Sequence, residues 1–350
     1  MVSASFSLKK KFTTLVEVKR QRSQRLYLVC FFLVFLLVVF LSLTNGAISI
    51  GLFDFLEPES QLQKTVLYEI RSPRIFLAGF VGASLSIAGA ALQGLFRNPL
   101  ADPGLIGVSS GAALGAVAVI VFGSVLSVNE SFRPYLMPVA AICGAIVVTS
   151  FLYSFARRYG EFNVATILLL GIAINSLATV GIGAFQYLSD DGELRTLTFW
   201  MMGSFSRSMW FTALPTGTII LMSCLWLARD RRNLDLLQLG EHEAQHLGVS
   251  VNHLKRRIIL CSATAVGAGV ALAGMIGFVG LVVPHLVRLL GGVSHQYVLP
   301  ASALLGASIM MLADLVSRTI VVPAELPVSL VTSAIGAPFF LWLISRVRSS

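Results

Sequence analysis

The chain is poor in charge. Lysine, arginine, aspartate and glutamate make up 12% of its 350 residues, about half the share of an ordinary soluble domain. That scarcity excludes a soluble enzyme and a disordered chain. Cysteine is scarce as well. Cys30, Cys143, Cys224 and Cys261 stand far apart inside apolar runs, so neither a disulfide framework nor a metal knuckle is implied. No glycine-rich loop ends in Lys followed by Ser or Thr, so the chain does not hydrolyse nucleotide through a P-loop. Strict alternation of apolar and polar residues is missing too, which argues against an outer-membrane barrel.

What the chain has is apolar length. Hydrophobic types make up 56% of it, enough for about ten spans of roughly 20 residues each. The first 25 residues are polar and basic, and an uncharged run from Leu26 to Asn45 follows. This reads as a cytoplasmic tail before an uncleaved span, because a signal peptide has a shorter basic region, a shorter apolar core and a small-residue cleavage site. Further apolar stretches lie near 75–95, 105–126, 137–156, 163–188, 210–228, 257–273, 275–290, 299–321 and 328–345. The fold class is therefore an all-α polytopic membrane protein of about ten helices, one domain over 26–348. With both termini inside, nineteen basic residues fall on the cytoplasmic side and seven outside, as the positive-inside rule requires. The same rule accounts for the net charge of +9 without a nucleic-acid partner.

Small residues recur every fourth position at Ala78, Gly82, Ser86 and Ala90, and again at Gly111 and Gly115. Such stripes let helix backbones approach closely in lipid. Residues Gly82–Gly89 resemble Gly267–Gly274, five spans later and in the opposite direction, which raises an inverted repeat of the kind common in transporters.

Two motifs carry chemistry elsewhere. His242-Glu-Ala-Gln-His246 is a literal H-E-x-x-H, which on a helix sets two imidazoles on one face. It lies in the most polar internal loop, His253 misses the extended spacing by one residue, and a catalytic zinc needs a third protein ligand. A membrane zinc protease is therefore a distant alternative, and no metal site is expected. Gly107-Val-Ser109-Ser-Gly111 is a literal G-x-S-x-G, but a nucleophile elbow needs a strand before it. Ser109 reads instead as a cap at the start of the third span. The spans hold almost no ionisable residues, Asp314 being the one clear acid. A proton-driven carrier would show a chain of them, so a secondary carrier is disfavoured and energy is expected to enter from outside the membrane domain.

The largest internal loop, 229–257, reads as two short helices broken at Gly240 and Gly248, with Leu239, Ala244 and Leu247 facing one way. An amphipathic element of this kind suits docking into a groove on a partner. On the outer side, Arg71, Arg74 and Arg318 sit at span edges, where they either snorkel or accept carboxylates of an external partner.

The ordered blocks Arg71-Ser-Pro-Arg74, Gly82–Gly89, Gln93–Gly104, Gly240–Val249, Gly277–Arg288, Glu325-Leu-Pro and Gly336-Ala-Pro-Phe-Phe resemble the FecCD-type permeases of bacterial ABC importers, over roughly 46–347. The resemblance implies a homodimer in the inner membrane, two cytoplasmic ATPase subunits that hold ATP and Mg, a periplasmic binding protein, and no enzyme activity or cofactor on this chain. It implies coupling through 235–250, with Leu239, Gly240, Glu241, Glu243, Ala244, Leu247 and Gly248 contacting the ATPase. It matches Arg71 and Arg74, with Arg318 as a third, to arginines that pair with glutamates of the binding protein. Gly171 and Asn175 match a pore-lining helix. Ser329 departs from the glycine more usual there, which puts local packing in question. Family cargoes are iron complexes and cobalamin. Tyr187–Gly203 and Leu105–Ala113 look like the haem-importer branch, with a ferric siderophore or cobalamin as alternatives.

Overall fold

In the computed structural model, residues 2–46, 60–123, 128–158 and 164–347 are described. Every regular element among them is helical. The ten long helices are α1 (Val2–Thr44), α2 (Ser72–Phe96), α3 (Val108–Phe122), α4 (Arg133–Arg158), α5 (Val164–Leu188), α6 (Trp210–Arg229), α7 (Val251–Ala273), α8 (Val279–Gly291), α9 (His295–Thr319) and α10 (Val328–Val347). Seven are long and apolar enough to cross a membrane; α3, α8 and part of α10 are shorter apolar helices. Each corresponds to one stretch read from hydropathy.

Helix α2 is the buried axis of the bundle. Its small-residue stripe explains why. A Cβ added at Gly82 would stand 2.2 Å from the carbonyl oxygen of Gly306, so α2 and α9 touch backbone to backbone. Gly111 meets the carbonyl of Gly144 in the same way, joining α3 to α4. Lipid offers no hydrophobic drive between helices, so contact at this range supplies the attraction instead. Helix α1 packs one side on α9, where Phe31 and Val38 enter the core, and its other side is exposed between Arg20 and Leu37. It is tied at its middle and at its C-terminal end. Gln24 donates to the carbonyl of Gly291 at 2.7 Å, and the carbonyls of Ser42, Leu43 and Thr44 accept from Arg318 and Arg71.

Several expectations shift in detail. No break marks the 25/26 boundary, because α1 runs through it. Helix α7 starts at Val251, so Lys255, Arg256 and Arg257 lie in its first two turns rather than in the loop. Helix α8 starts at Val279, after Phe278 takes a left-handed φ of 68°. Ser109 is not a cap: α3 begins after Gly107 at φ 81°, and Asp102 caps the preceding turn by accepting from the Gly104 N–H at 2.8 Å. With no strand before it, the G-x-S-x-G run is helix packing and not a nucleophile elbow. The two similar octapeptides also sit differently. Gly82–Gly89 lies in mid-helix, whereas Gly274 closes α7 at φ 74°.

Candidate functional site

The segment between α6 and α7, 230–250, folds as two short helices, Arg231–Leu237 and Glu241–His246, at one end of the bundle. Leu234 and Leu237 bury the first against the core. Polar ties then fix it. Asp235 accepts from the Ser294 hydroxyl at 3.0 Å and from the backbone N–H and Nδ1 of His295 at 2.7 and 2.8 Å, at the start of α9. Gln238 donates to the Gly94 carbonyl at 2.7 Å, at the end of α2. Asp230, at the end of α6, pairs with Arg257 of α7. The segment is thus bonded to α2, α7 and α9 together.

Burial works against ionisation of Asp235, but the hydrogen bonds from His295 and Ser294 outweigh it and hold the carboxyl below its usual range. A depressed carboxyl contributes stability that is present at neutral pH and lost as pH falls through the depressed value. Asp235→Asn should therefore cost roughly 1.5–3 kcal/mol at neutral pH, read as a lowered thermal midpoint. The same midpoint in variant and wild type at pH 7 would show that the tie carries no stability.

The second helix is hung between two glycines. Gly240 has φ 125° and ψ 153°, and Gly248 has φ 87°. Ala244 is fully buried, while Leu239 and Leu247 are 64% and 57% exposed. This corrects the expected common face. Leu239 belongs to the turn before Gly240, not to the helix of Ala244, so the glycine re-aims the chain between them. Glu241 accepts from Lys255 Nζ at 2.6 Å, and Glu243 is exposed. Nε2 of His242 and of His246 stand 3.1 Å apart on the exposed side. No third His, Cys, Asp or Glu joins them among the described residues, so the pair lacks the ligand set of a catalytic zinc.

At the opposite end, Arg71, Arg74 and Arg318 are all buried. Arg74 forks onto Asp314, with Nε at 2.9 Å from Oδ2 and Nη2 at 2.8 Å from Oδ1, and onto Glu325, with Nη1 at 2.7 Å. Arg318 bonds the Ser42 carbonyl and stands 3.8 Å from Asp314. Arg71 donates to the carbonyls of Leu43 and Thr44 at 2.7 and 3.2 Å. Within this chain all three are buried and find acceptors of their own. An arginine at an apolar span edge takes the nearest acceptors, because an unpaired buried charge costs several kcal/mol. The three support the end of the bundle by joining α1, α2, α9 and the segment before α10.

Beside Glu325 opens a cavity of about 460 Å³, walled by Phe199, Trp200 and Phe211 and rimmed by Arg195 and Arg207. An amphipathic helix, Asp191–Met201, carries part of this wall. Asp190 starts it through a capping box with Glu193. Arg195 lies over the Phe199 ring at 5.9 Å. Both rim arginines are exposed and neither pairs with a carboxylate among the described residues. Met201 and Met202 pack rather than reach the cavity, with Met202 offering its carbonyl to Ser329 at 2.5 Å. Ser329 thus adds a tie where the packing was in question.

Gly171 and Asn175 face inward. A Cβ at Gly171 would stand 1.9 Å from the Leu105 carbonyl, and Asn175 accepts from Ser110 at 2.6 Å and donates to the Gly104 carbonyl at 3.0 Å. They pin α5 to the 103–110 turn. The exposed stripe of α5 runs through Ala173, Ser176, Leu177 and Val180.

The profile of the FecCD transport family matches residues 33–346. The chain belongs to that family. It is 43% identical over 329 residues to the hemin transport system permease protein of Yersinia pestis, spanning 93% of this chain and 98% of that protein. It is 38% identical over 330 residues to the vitamin B12 import system permease protein of Shigella boydii, spanning 94% and 98%. A solved structure described as an inward-facing conformation of a metal-chelate type ABC transporter matches at TM-score 0.82 and 34% identity, over 91% of this chain and 98% of that one. This FecCD chain is thus a multi-pass membrane transport protein. Reading its sequence did not single out Asp235, Gln238, His295, Arg195 or Arg207. Asp235 and His295 lie 60 residues apart and share no motif that would link them. The one visible signal was Asp190 three residues before Glu193, a capping pair that marks the cavity's helix.

Proposed function

We propose that this chain is the permease subunit of an ATP-driven importer in the bacterial inner membrane, moving haem from periplasm to cytoplasm. It works as a homodimer with N- and C-termini in the cytoplasm. The excess of basic residues on that side supports the orientation. Separate ATPase subunits, carrying ATP and Mg, dock on the exposed Leu239 and Leu247 between the two glycine turns. Their closure pushes a segment bonded to α2, α7 and α9, so a local push becomes a rigid-body change of the bundle. A periplasmic binding protein delivers cargo at the opposite end.

The observation that carries the cargo assignment is the cavity with aromatic walls and two rim arginines that meet no carboxylate among the described residues. Haem is a flat apolar ring with two carboxylates on one edge. The walls suit the ring, and the guanidinium forks suit the carboxylates. The similarity to vitamin B12 permeases favours cobalamin as the second reading. Cobalamin's periphery is lined with neutral amides, to which the two rim arginines offer less.

The test is uptake into proteoliposomes holding the permease with its ATPase, with the binding protein outside, using haem, cobalamin and a ferric siderophore in turn. Haem should be accumulated with ATP. Reversing Arg195 and Arg207 to Glu together should cut haem uptake about tenfold or more while leaving the thermal midpoint in place, since both side chains are exposed. Uptake of cobalamin or the siderophore, and not of haem, would overturn the cargo assignment and leave the importer standing.

A further inference from the structure

The H-E-x-x-H run has a geometry that transport does not use. His242 and His246 sit one turn apart on the helix 241–246, and their rings meet edge to face with centroids 4.5 Å apart. Both Nε2 atoms converge, 3.1 Å from one another. Two nitrogens bound to one zinc ion at about 2.0–2.1 Å each, at a tetrahedral angle, lie roughly 3.3 Å apart. The pair therefore already stands at nearly the separation a shared metal demands. The same spacing also suits a single N–H donating to the neighbouring ring nitrogen.

The backbone behind the rings is held. Ala244 is buried beneath them, and Glu241 is tied to Lys255 at 2.6 Å. The rings themselves are exposed, so a hydrated ion reaches them directly. Glu243 follows His242 as the base of a zinc protease does, but it is exposed and no third protein ligand joins the pair among the described residues, so a catalytic zinc is not built here. His253 lines a separate cleft with Arg157 and Arg256, where a second cation would be repelled.

We propose that His242 and His246 form a two-imidazole site for a divalent transition-metal ion of the zinc class, with water filling the remaining positions. Imidazole nitrogen suits zinc, copper and nickel, and magnesium and calcium prefer oxygen donors. The site lies on the segment assigned above to ATPase docking. On that reading, an ion held there occupies part of the docking surface and weakens coupling. Metal binding by the chain alone does not depend on that reading.

The test uses the full-length, untagged protein in lipid nanodiscs, titrated with Zn2+ against a chromophoric chelator. One zinc per chain should bind. His242→Ala and His246→Ala should each weaken binding about tenfold or more, because each removes half of the protein's ligands. Glu243→Gln and His253→Ala should bind as wild type does. His242→Cys should retain binding through its thiolate, which separates loss of a ligand from loss of the helix. Wild-type affinity in both alanine variants, or an equal loss in His253→Ala, would overturn the site. A second arm adds the ATPase: micromolar zinc should lower its stimulation by the wild-type permease and spare the His246→Ala permease. Binding in the first arm with no effect in the second would leave the metal site standing and tell against docking at this helix.

Discussion

Replacing Arg74 by leucine should destabilise the folded protein by about 3–5 kcal/mol, the cost of removing one partner from a buried ion pair. Asp314 and Glu325 both lean on that guanidinium, and Asp314 is almost fully buried. The change strands Asp314 between α2 and α9, and Arg318, 3.8 Å away, cannot reproduce the fork. Arg74→Lys keeps the charge and loses the paired geometry, so it should fall between the two. The measurement is the thermal midpoint of the purified protein in detergent, with the yield of folded protein beside it. A stable Arg74→Leu permease that fails only to engage its binding protein would return Arg74 to a docking role and show that the buried fork carries little energy.

Valine at Gly240 or Gly248 should uncouple the permease from its ATPase while leaving the bundle folded. No neighbour stands within 4 Å of a Cβ added at either position, so the effect comes from backbone conformation alone. Gly240, at φ 125° and ψ 153°, occupies a region that essentially only glycine enters, and Gly248 is left-handed. Forcing a β-branched residue there costs on the order of 1–3 kcal/mol. The exposed segment escapes that strain by turning, which moves Leu239 and Leu247 out of register with the ATPase. Stimulation of ATP hydrolysis by the loaded binding protein should drop about tenfold or more in each valine variant. Gly248→Asn should retain most of it, because asparagine tolerates the left-handed region. Full stimulation in both valine variants would show that the segment is not the coupling element.

Both predictions bear on what could be read before the fold was known. Ten apolar stretches were legible and correspond to the ten long helices, because in lipid a backbone must satisfy its own hydrogen bonds and composition then dictates the element. Gly240 and Gly248 were legible as breaks, since glycine punctuates a helical pattern whatever surrounds it. The stripe from Ala78 to Ala90 marked a packing face, although not the identity of the helix it meets. Start points were less legible: α7 begins six residues before the expected 257, because its first turns are basic and look like loop.

Arginine roles were decided elsewhere. The positions of Arg71, Arg74 and Arg318 at span edges suit an exposed cation and a buried one equally. The difference lies in Asp314 and Glu325, 240 and 251 residues further along, which arrive beside Arg74 only when α9 packs on α2. Asp235 and His295 meet by the same long-range packing. So do the aromatic wall and the rim arginines of the cavity, which come from the 191–201 helix, the turn after it and α6. Hydropathy is a property of neighbours in the chain, so local composition settled which segments enter the membrane and where they bend. Charge pairing is a property of neighbours in space, and it waited on which helix faces came together.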